Sequence, residues 1–301
     1  GLQGVVDDLS VNGLESDEFT LADYLKQNNY ATGIFGKWHL GCLPEHLPLR
    51  HGFNEFFGLP YSNDMWPFHP QPGHPYRALP LYDNERVVEY NPTVNHMTTR
   101  ITERATAFID KHKNEPFLLY VPYTQPHVPL GVSDKFKGKS GEGLYADVIM
   151  EIDWSVGEIM KTLKENGLDD HTLVLFTSDN GPWLSYGNHG GSTGGLREGK
   201  GTTFEGGQRV PFIARMPGRI PAGKVSEQFL SALDITPTIV ELTGSQMPRM
   251  NEFDGENVWM TLTGQAQSHK PFYFLYDGKV EAVRDGKWKC VAPHEYRIVT
   301  E

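Results

Sequence analysis

Three short apolar runs constrain most strongly what this chain can become. Residues 31–36, 117–121 and 172–177 are each of strand length. The second and third are continuously apolar rather than alternating, as in strands covered on both faces. Helical stretches lie between them. Residues 20–28 begin with a capping box at Thr20 and Asp23 and carry Leu21, Tyr24 and Leu25 on one side. Residues 94–112 place Ile101, Ala105, Phe108 and Ile109 on one face. Residues 144–166 carry Val148, Ile149, Ile152, Ile159, Met160 and Leu163 as a stripe, with Gly167 suited to the C-cap. A strand at 210–214 and a short helix at 235–242, stopped by Gly244, follow. Such alternation predicts an α/β fold, a largely parallel sheet sandwiched by helices.

Between these elements, residues 43–92 are dense in Pro, Gly, His and aromatics and read as long ordered loops, and 181–207 is glycine-rich. Near Gly264 the pattern changes. Residues 271–276 and 280–283 flank Asp277-Gly278 as a hairpin, and 287–291 adds a strand. The expected division is therefore 1–263 as the α/β domain and 264–301 as the beginning of a small antiparallel C-terminal subdomain. The chain opens at Gly1 without Met and closes at Glu301 just after a strand-like run, so both ends read as cut.

The 38 acidic residues outnumber 27 basic ones, for a net charge of −11. That disfavours a nucleic acid partner, whose phosphates demand a basic surface. It leaves room for a small anion, because a few Lys and His in one pocket set the local field. Two cysteines, Cys42 and Cys290, make neither a disulfide framework nor a zinc site. No apolar run has the length of a transmembrane helix.

Each apolar run leads into chemically able residues. Lys37 and His39 follow the first, His127 the second, and Asp179 with Asn180 the third. Ligands of open parallel sheets bind outside the carboxyl ends of the strands, so these clusters are expected on one edge. Lys37 and His39, two apart, point to one side if the chain is extended; a solvated Lys beside a structural His reads equally well. Asp179-Asn180-Gly181 offers oxygen ligands for a hard cation, Ca²⁺ or Mg²⁺, and is also ideal turn chemistry. His127 lies between Pro126 and Pro129, and Lys200 lies between two glycines that permit close approach of a ligand. A structural loop His and a solvated Lys are the plain alternatives. Gly194 to Lys200 imitates a phosphate-binding loop, but Gly201 stands where Ser or Thr is needed. Gly190-Gly-Ser192-Thr-Gly194 imitates a nucleophile elbow without the strand that must lead into it.

Five long stretches, in order, resemble the sulfatase family and most of all its arylsulfatase A-like branch, within the alkaline phosphatase superfamily. They are Tyr30-Ala-Thr-Gly-Ile-Phe-Gly-Lys-Trp-His-Leu-Gly41, Gly58-Leu-Pro-Tyr-Ser-Asn-Asp64, Gln125-Pro-His-Val-Pro129, Phe176-Thr-Ser-Asp-Asn-Gly181 and Gly195-Leu-Arg-Glu-Gly-Lys-Gly-Thr-Thr-Phe-Glu-Gly-Gly207. The resemblance implies an alkaline phosphatase-like fold and hydrolysis of a sulfate monoester to alcohol and sulfate. It implies Asp179 and Asn180 as ligands of Ca²⁺, with Mg²⁺ as the other candidate. Lys37 and Lys200 would bind sulfate oxygens, and His39 would act on a hydroxyl of the nucleophile. His127, with Lys200, would protonate the departing alcohol, and Ser62 would contact substrate. It further implies a sulfated small molecule or glycan as substrate, a formylglycine nucleophile made by a formylglycine-generating enzyme, and an exported or lysosomal setting.

The family's C/S-x-P-x-R nucleophile motif and its paired-Asp calcium motif precede the signature at 30–41, and neither is in this sequence. Cys42-Leu-Pro-Glu-His46 has His where Arg is required and follows that signature, so Cys42 is read as an ordinary residue and the 301 residues alone as inactive. Two rivals are a phosphatase or phosphodiesterase relative, which would bring more metal-binding Asp and His, and a non-catalytic module binding sulfated glycans. The loop at 63–80 is expected on the rim of the substrate pocket.

Overall fold

A computed structural model describes residues 4–69, 76–246 and 253–294. The chain divides into two compact units, Gly1–Gly167 and Leu168–Glu301.

The first unit is built on a five-stranded sheet of order β4-β3-β2-β1-β5. Its strands are β1 (Ala31–Lys37), β2 (Glu55–Leu59), β3 (Pro80–Asp83), β4 (Arg86–Tyr90) and β5 (Phe117–Tyr120). β1 runs parallel to both β2 and β5, whereas β3 pairs antiparallel with β2 and β4 with β3. The sheet is thus mixed, with a parallel middle. Three of its strands fall inside 43–92, which the sequence presents as loop. Runs of four or five residues framed by Gly, Pro and polar residues carry too little periodicity to be told from loop.

Helices cover both faces of this sheet, as the α/β expectation requires. Side chains alternate along β1, so Phe35 and Ile34 point oppositely. Phe35 joins Phe57, Leu59, Met97, Ile101, Ala105 and Phe108 in one core cluster, and Ile34 joins Ala22, Trp38, Phe53 and Phe56 in the other. The first cluster contains Ile101, Ala105 and Phe108 from the stripe of α2 (Met97–His112), and the second contains Ala22 of α1 (Leu21–Lys26). The capping box predicted at Thr20 forms, with both halves present. Gly33 permits the fit of α2, since a Cβ there would lie 2.7 Å from the Phe108 ring.

α3 (Leu144–Glu165) buries Val148, Ile152 and Leu163 as expected, but Ile149 is exposed. Asp147, Glu151 and Ser155 are buried instead. Asp147 accepts hydrogen bonds from the Gly138 and Ser140 N–H groups and the Ser140 hydroxyl, and Glu151 from the Ser133 N–H. The helix therefore turns a polar stripe toward the loop before it, an arrangement hydrophobicity alone cannot rank. Among the described residues of this unit, β1 is the strand paired with β5, at the end of the sheet order. Accordingly it is half-buried, with Tyr120 exposed, rather than covered on both faces.

In the second unit, β6 (Val174–Thr177) pairs antiparallel with β7 (Phe212–Arg215) in a two-stranded sheet. Within this unit the run at 172–177 is therefore antiparallel to its neighbour, and Phe176 is partly exposed. A short helix α4 (Glu205–Gln208) precedes β7, and α5 (Ile235–Leu242) follows it. β8 (Phe272–Tyr276), β9 (Lys279–Asp285) and β10 (Trp288–Val291) form the expected antiparallel sheet. Asp277 and Gly278 both take positive φ, as a tight right-twisted hairpin turn needs.

Candidate functional site

The carboxyl ends of β2, β1 and β5 lie side by side in the first unit, and their outgoing loops are laced together. Lys37 N–H donates to Pro122 O (2.7 Å), Trp38 N–H to Leu59 O (2.9 Å) and His39 N–H to Pro60 O (2.9 Å). Such close approach depends on two glycines. A Cβ on Gly36 would sit 1.9 Å from Pro122 O, and one on Gly58 would sit 1.7 Å from Gly36 O. The Trp38 indole N–H donates to His46 O (2.8 Å), anchoring the turn from beneath.

β1 ends at Lys37, and His39 adopts a left-handed conformation with φ of 59°. The pair is brought together by a turn rather than by extended alternation. A non-glycine residue held there costs roughly 1–3 kcal/mol, a cost often found at functional sites. Burial, then the Lys37 ammonium, push the His39 imidazole down to about 4, against smaller opposing effects of the Val6 backbone and Asp64. His39 Nε2 is buried and has no hydrogen-bond partner among the described residues.

His127 arrives from the loop after β5. Its Nδ1 lies 2.7 Å from Val128 O; a carbonyl only accepts, so Nδ1 carries the proton. Ser62 Oγ lies 3.4 Å from the same nitrogen. Asn63, fully buried, donates from Nδ2 to His127 O (3.4 Å) and Pro129 O (3.3 Å). Gln125 reinforces the loop, donating to Pro129 O (3.1 Å) and accepting from Gly131 N–H (3.2 Å). Asp64 places Oδ1 3.9 Å from His127 Nδ1. The first unit therefore assembles Lys37, His39, Ser62 and His127. Asn63, Asp64 and Gln125 were missed as site residues although they lie within the quoted stretches; their polarity beside a candidate His was the available signal.

In the second unit Asp179 and Asn180 leave the end of β6. Asp179 Oδ1 accepts from Asn180 N–H (3.0 Å), and Asn180 Nδ2 donates to Gly181 O (2.9 Å). The Asn180 amide oxygen is thereby turned away from the Gly181 carbonyl. The Asp179 carboxylate and the Asn180 amide oxygen are donors of the type a hard cation takes. Two ligands are part of such a site. The described residues contain no cluster of three or more His, Cys, Asp or Glu able to complete it.

The Lys200 loop is tied to the Asp179 loop. Lys200 N–H donates to Pro182 O (2.9 Å) and Gly181 N–H to Gly207 O (2.9 Å). Gly199 leaves room for that approach, since a Cβ there would lie 2.5 Å from Pro182 O. The Lys200 ammonium sits 4.5 Å from the centre of the Trp183 ring. Among the described residues no strand leads into Gly190 or Gly194, so neither the nucleophile-elbow nor the phosphate-loop imitation has its required setting.

From the expected rim loop, Met65 and Trp66 pack on the first core cluster, and exposed Phe68 meets Trp66 edge to face. Residues 70–75 of that loop lie outside the described residues.

The family profile described as Sulfatase matches residues 2–245, and that described as N-sulphoglucosamine sulphohydrolase, C-terminal, matches 199–300. The chain is 39% identical to arylsulfatase A of Bos taurus, covering 95% of this chain and 61% of that protein. It is 38% identical to N-acetylgalactosamine-6-sulfatase of Canis lupus familiaris, covering 93% and 55%. The chain thus spans little more than half the length of these relatives. Among solved structures, Ps i-CgsB in complex with k-i-k-neocarrahexaose superposes with a TM-score of 0.79 at 31% identity, over 94% of this chain and 67% of that one.

Proposed function

Because the chain belongs to the sulfatase family, we propose that the protein it is part of hydrolyses a sulfate monoester, aryl or carbohydrate, to an alcohol and sulfate. The observation that carries this reading is the meeting of Lys37, His39, Ser62 and His127 at three adjacent strand ends, with His39 Nε2 buried and lacking a hydrogen-bond partner among the described residues.

In this reading Lys37 and Lys200 neutralise charge that grows on the sulfate oxygens in the transition state. His39, held neutral by burial and by Lys37, accepts a proton at Nε2 from a hydroxyl presented to it. His127 carries its structural proton on Nδ1 and serves the departing alcohol from Nε2. Ser62 braces His127 and faces substrate. Asp179 and Asn180 would hold Ca²⁺, or Mg²⁺ in its place, and the cation would add fixed positive charge against sulfate. The family's formylglycine, installed by a formylglycine-generating enzyme outside these 301 residues, would supply the nucleophile. On this reading residues 1–263 are the catalytic portion and 264–301 part of a small antiparallel subdomain. An exported or lysosomal location follows from the same family reading; no helix of the described residues is long and apolar enough to cross a membrane.

The test uses the complete protein, produced with a formylglycine-generating system and calcium. An aryl sulfate and the matching aryl phosphate are assayed with and without chelator. Sulfate turnover lost on chelation is the expected result. Preference for phosphate would assign the protein to the phosphatase relatives, and turnover of neither would favour a module that only binds sulfated glycans.

A further inference from the structure

Asp64 is given no role by the residues assigned above, yet it stands among them. It follows Ser62 and Asn63 in the loop leaving β2, its side chain is 14% exposed, and Oδ1 has no hydrogen-bond partner among the described residues. A carboxylate taken from water without hydrogen bonds is costly unless a cation compensates it. Its ion-pair partner is the His127 imidazole, Oδ1 to Nδ1 3.9 Å, itself 18% exposed. His39, with Lys37 beside it, interacts with both Asp64 and His127, and Tyr76 interacts with Asp64.

His127 Nδ1–H is committed to Val128 O. The ring can give up a proton from Nε2 only when both nitrogens are protonated, as an imidazolium. A carboxylate within about 4–6 Å favours that cation. We propose that Asp64 is the positioning residue that holds His127 as a proton-loaded imidazolium aimed at the leaving group. The inference rests on the sulfatase reading for its chemistry. As the S–O bond to the alcohol breaks, its electron pair stays on the departing oxygen. The Nε2 proton moves to that oxygen, and His127 returns to neutral imidazole.

The complete protein is compared as wild type, Asp64→Asn and Asp64→Glu on two substrates, a nitrophenyl sulfate with a good leaving group and an alkyl sulfate with a poor one. The turn itself survives these changes, because Trp66 N–H bonds the Asp64 backbone carbonyl (2.9 Å). Asp64→Asn is expected to lose about 10²-fold or more on the alkyl sulfate, the scale of general acid catalysis, and under about tenfold on the nitrophenyl ester. Asp64→Glu, which keeps the charge, restores much of that difference. Equal losses on both esters would overturn the proposal. In parallel, ¹³C-labelled His127 is titrated by NMR in wild type and variants. Its midpoint should fall by about 1 unit in Asp64→Asn and stay near wild type in Asp64→Glu; an unmoved midpoint in Asp64→Asn overturns the pairing. If wild type turns over neither sulfate, the sulfatase reading fails, and the titration alone decides whether Asp64 charges His127.

Discussion

Two side chains carry the sharpest expectations at the scale of single residues, because each is asked for one physical property. Lys200→Ala in the complete protein should lower sulfate turnover about 10²-fold, the usual loss when one preorganised contact to a developing charge is removed; near-normal turnover would count against its role. His39 should titrate near pH 4 by NMR, well below a free imidazole. Its folded-state value lies below its unfolded one, so the folded state resists protonation. The stability it contributes is present above about pH 6.5, and declines as pH falls toward the folded value. Urea midpoints should drop across that window in wild type and drop less in His39→Gln. Lys37, His39, His127 and Lys200 were visible in the sequence because their types are rare enough to stand out beside strand-like runs. Asp64 and Asn63 were not, since an Asn-Asp pair in a loop looks like turn chemistry until a histidine 63 residues onward is seen against it.

Among elements, β1 does the most to build the site, sandwiched between two parallel neighbours and two helices. Phe108→Ala, which removes a buried ring packed on Phe35 and Gly33, should cost about 3–5 kcal/mol in denaturant unfolding. A cost under about 1 kcal/mol would mean that α2 is not fixed by that contact. The helices and β1 were legible because their periodicities and caps extend over enough residues. β2 was not, although it delivers Ser62, and its five residues Glu-Phe-Phe-Gly-Leu sit in a Pro- and Gly-rich setting. α3 shows another limit. Its buried Asp147 and Glu151 are explained by loop N–H groups they accept from, partners invisible until the loop is folded.

Over the whole molecule, the proposed cation is a linkage term as well as a chemical one. Calcium bound only by the folded protein stabilises it by about 2.7 kcal/mol at a hundredfold excess over its Kd. Tm of the complete protein should rise with calcium and fall with chelator, and Asp179→Asn should shrink that difference whether or not the enzyme turns over. An unchanged difference would remove Asp179 from the ligand set. The three-way contact of Gly36, Gly58 and the Pro122 carbonyl also governs how such a protein can diversify. Backbone fills the space where side chains would begin, so randomised libraries at positions 36 and 58 should return glycine and little else. Positions such as Phe68, exposed on the loop proposed as the rim, should accept many residues. New ester preferences would then be selected by varying the rim, while the crossing of backbones beneath it remains closed to mutation.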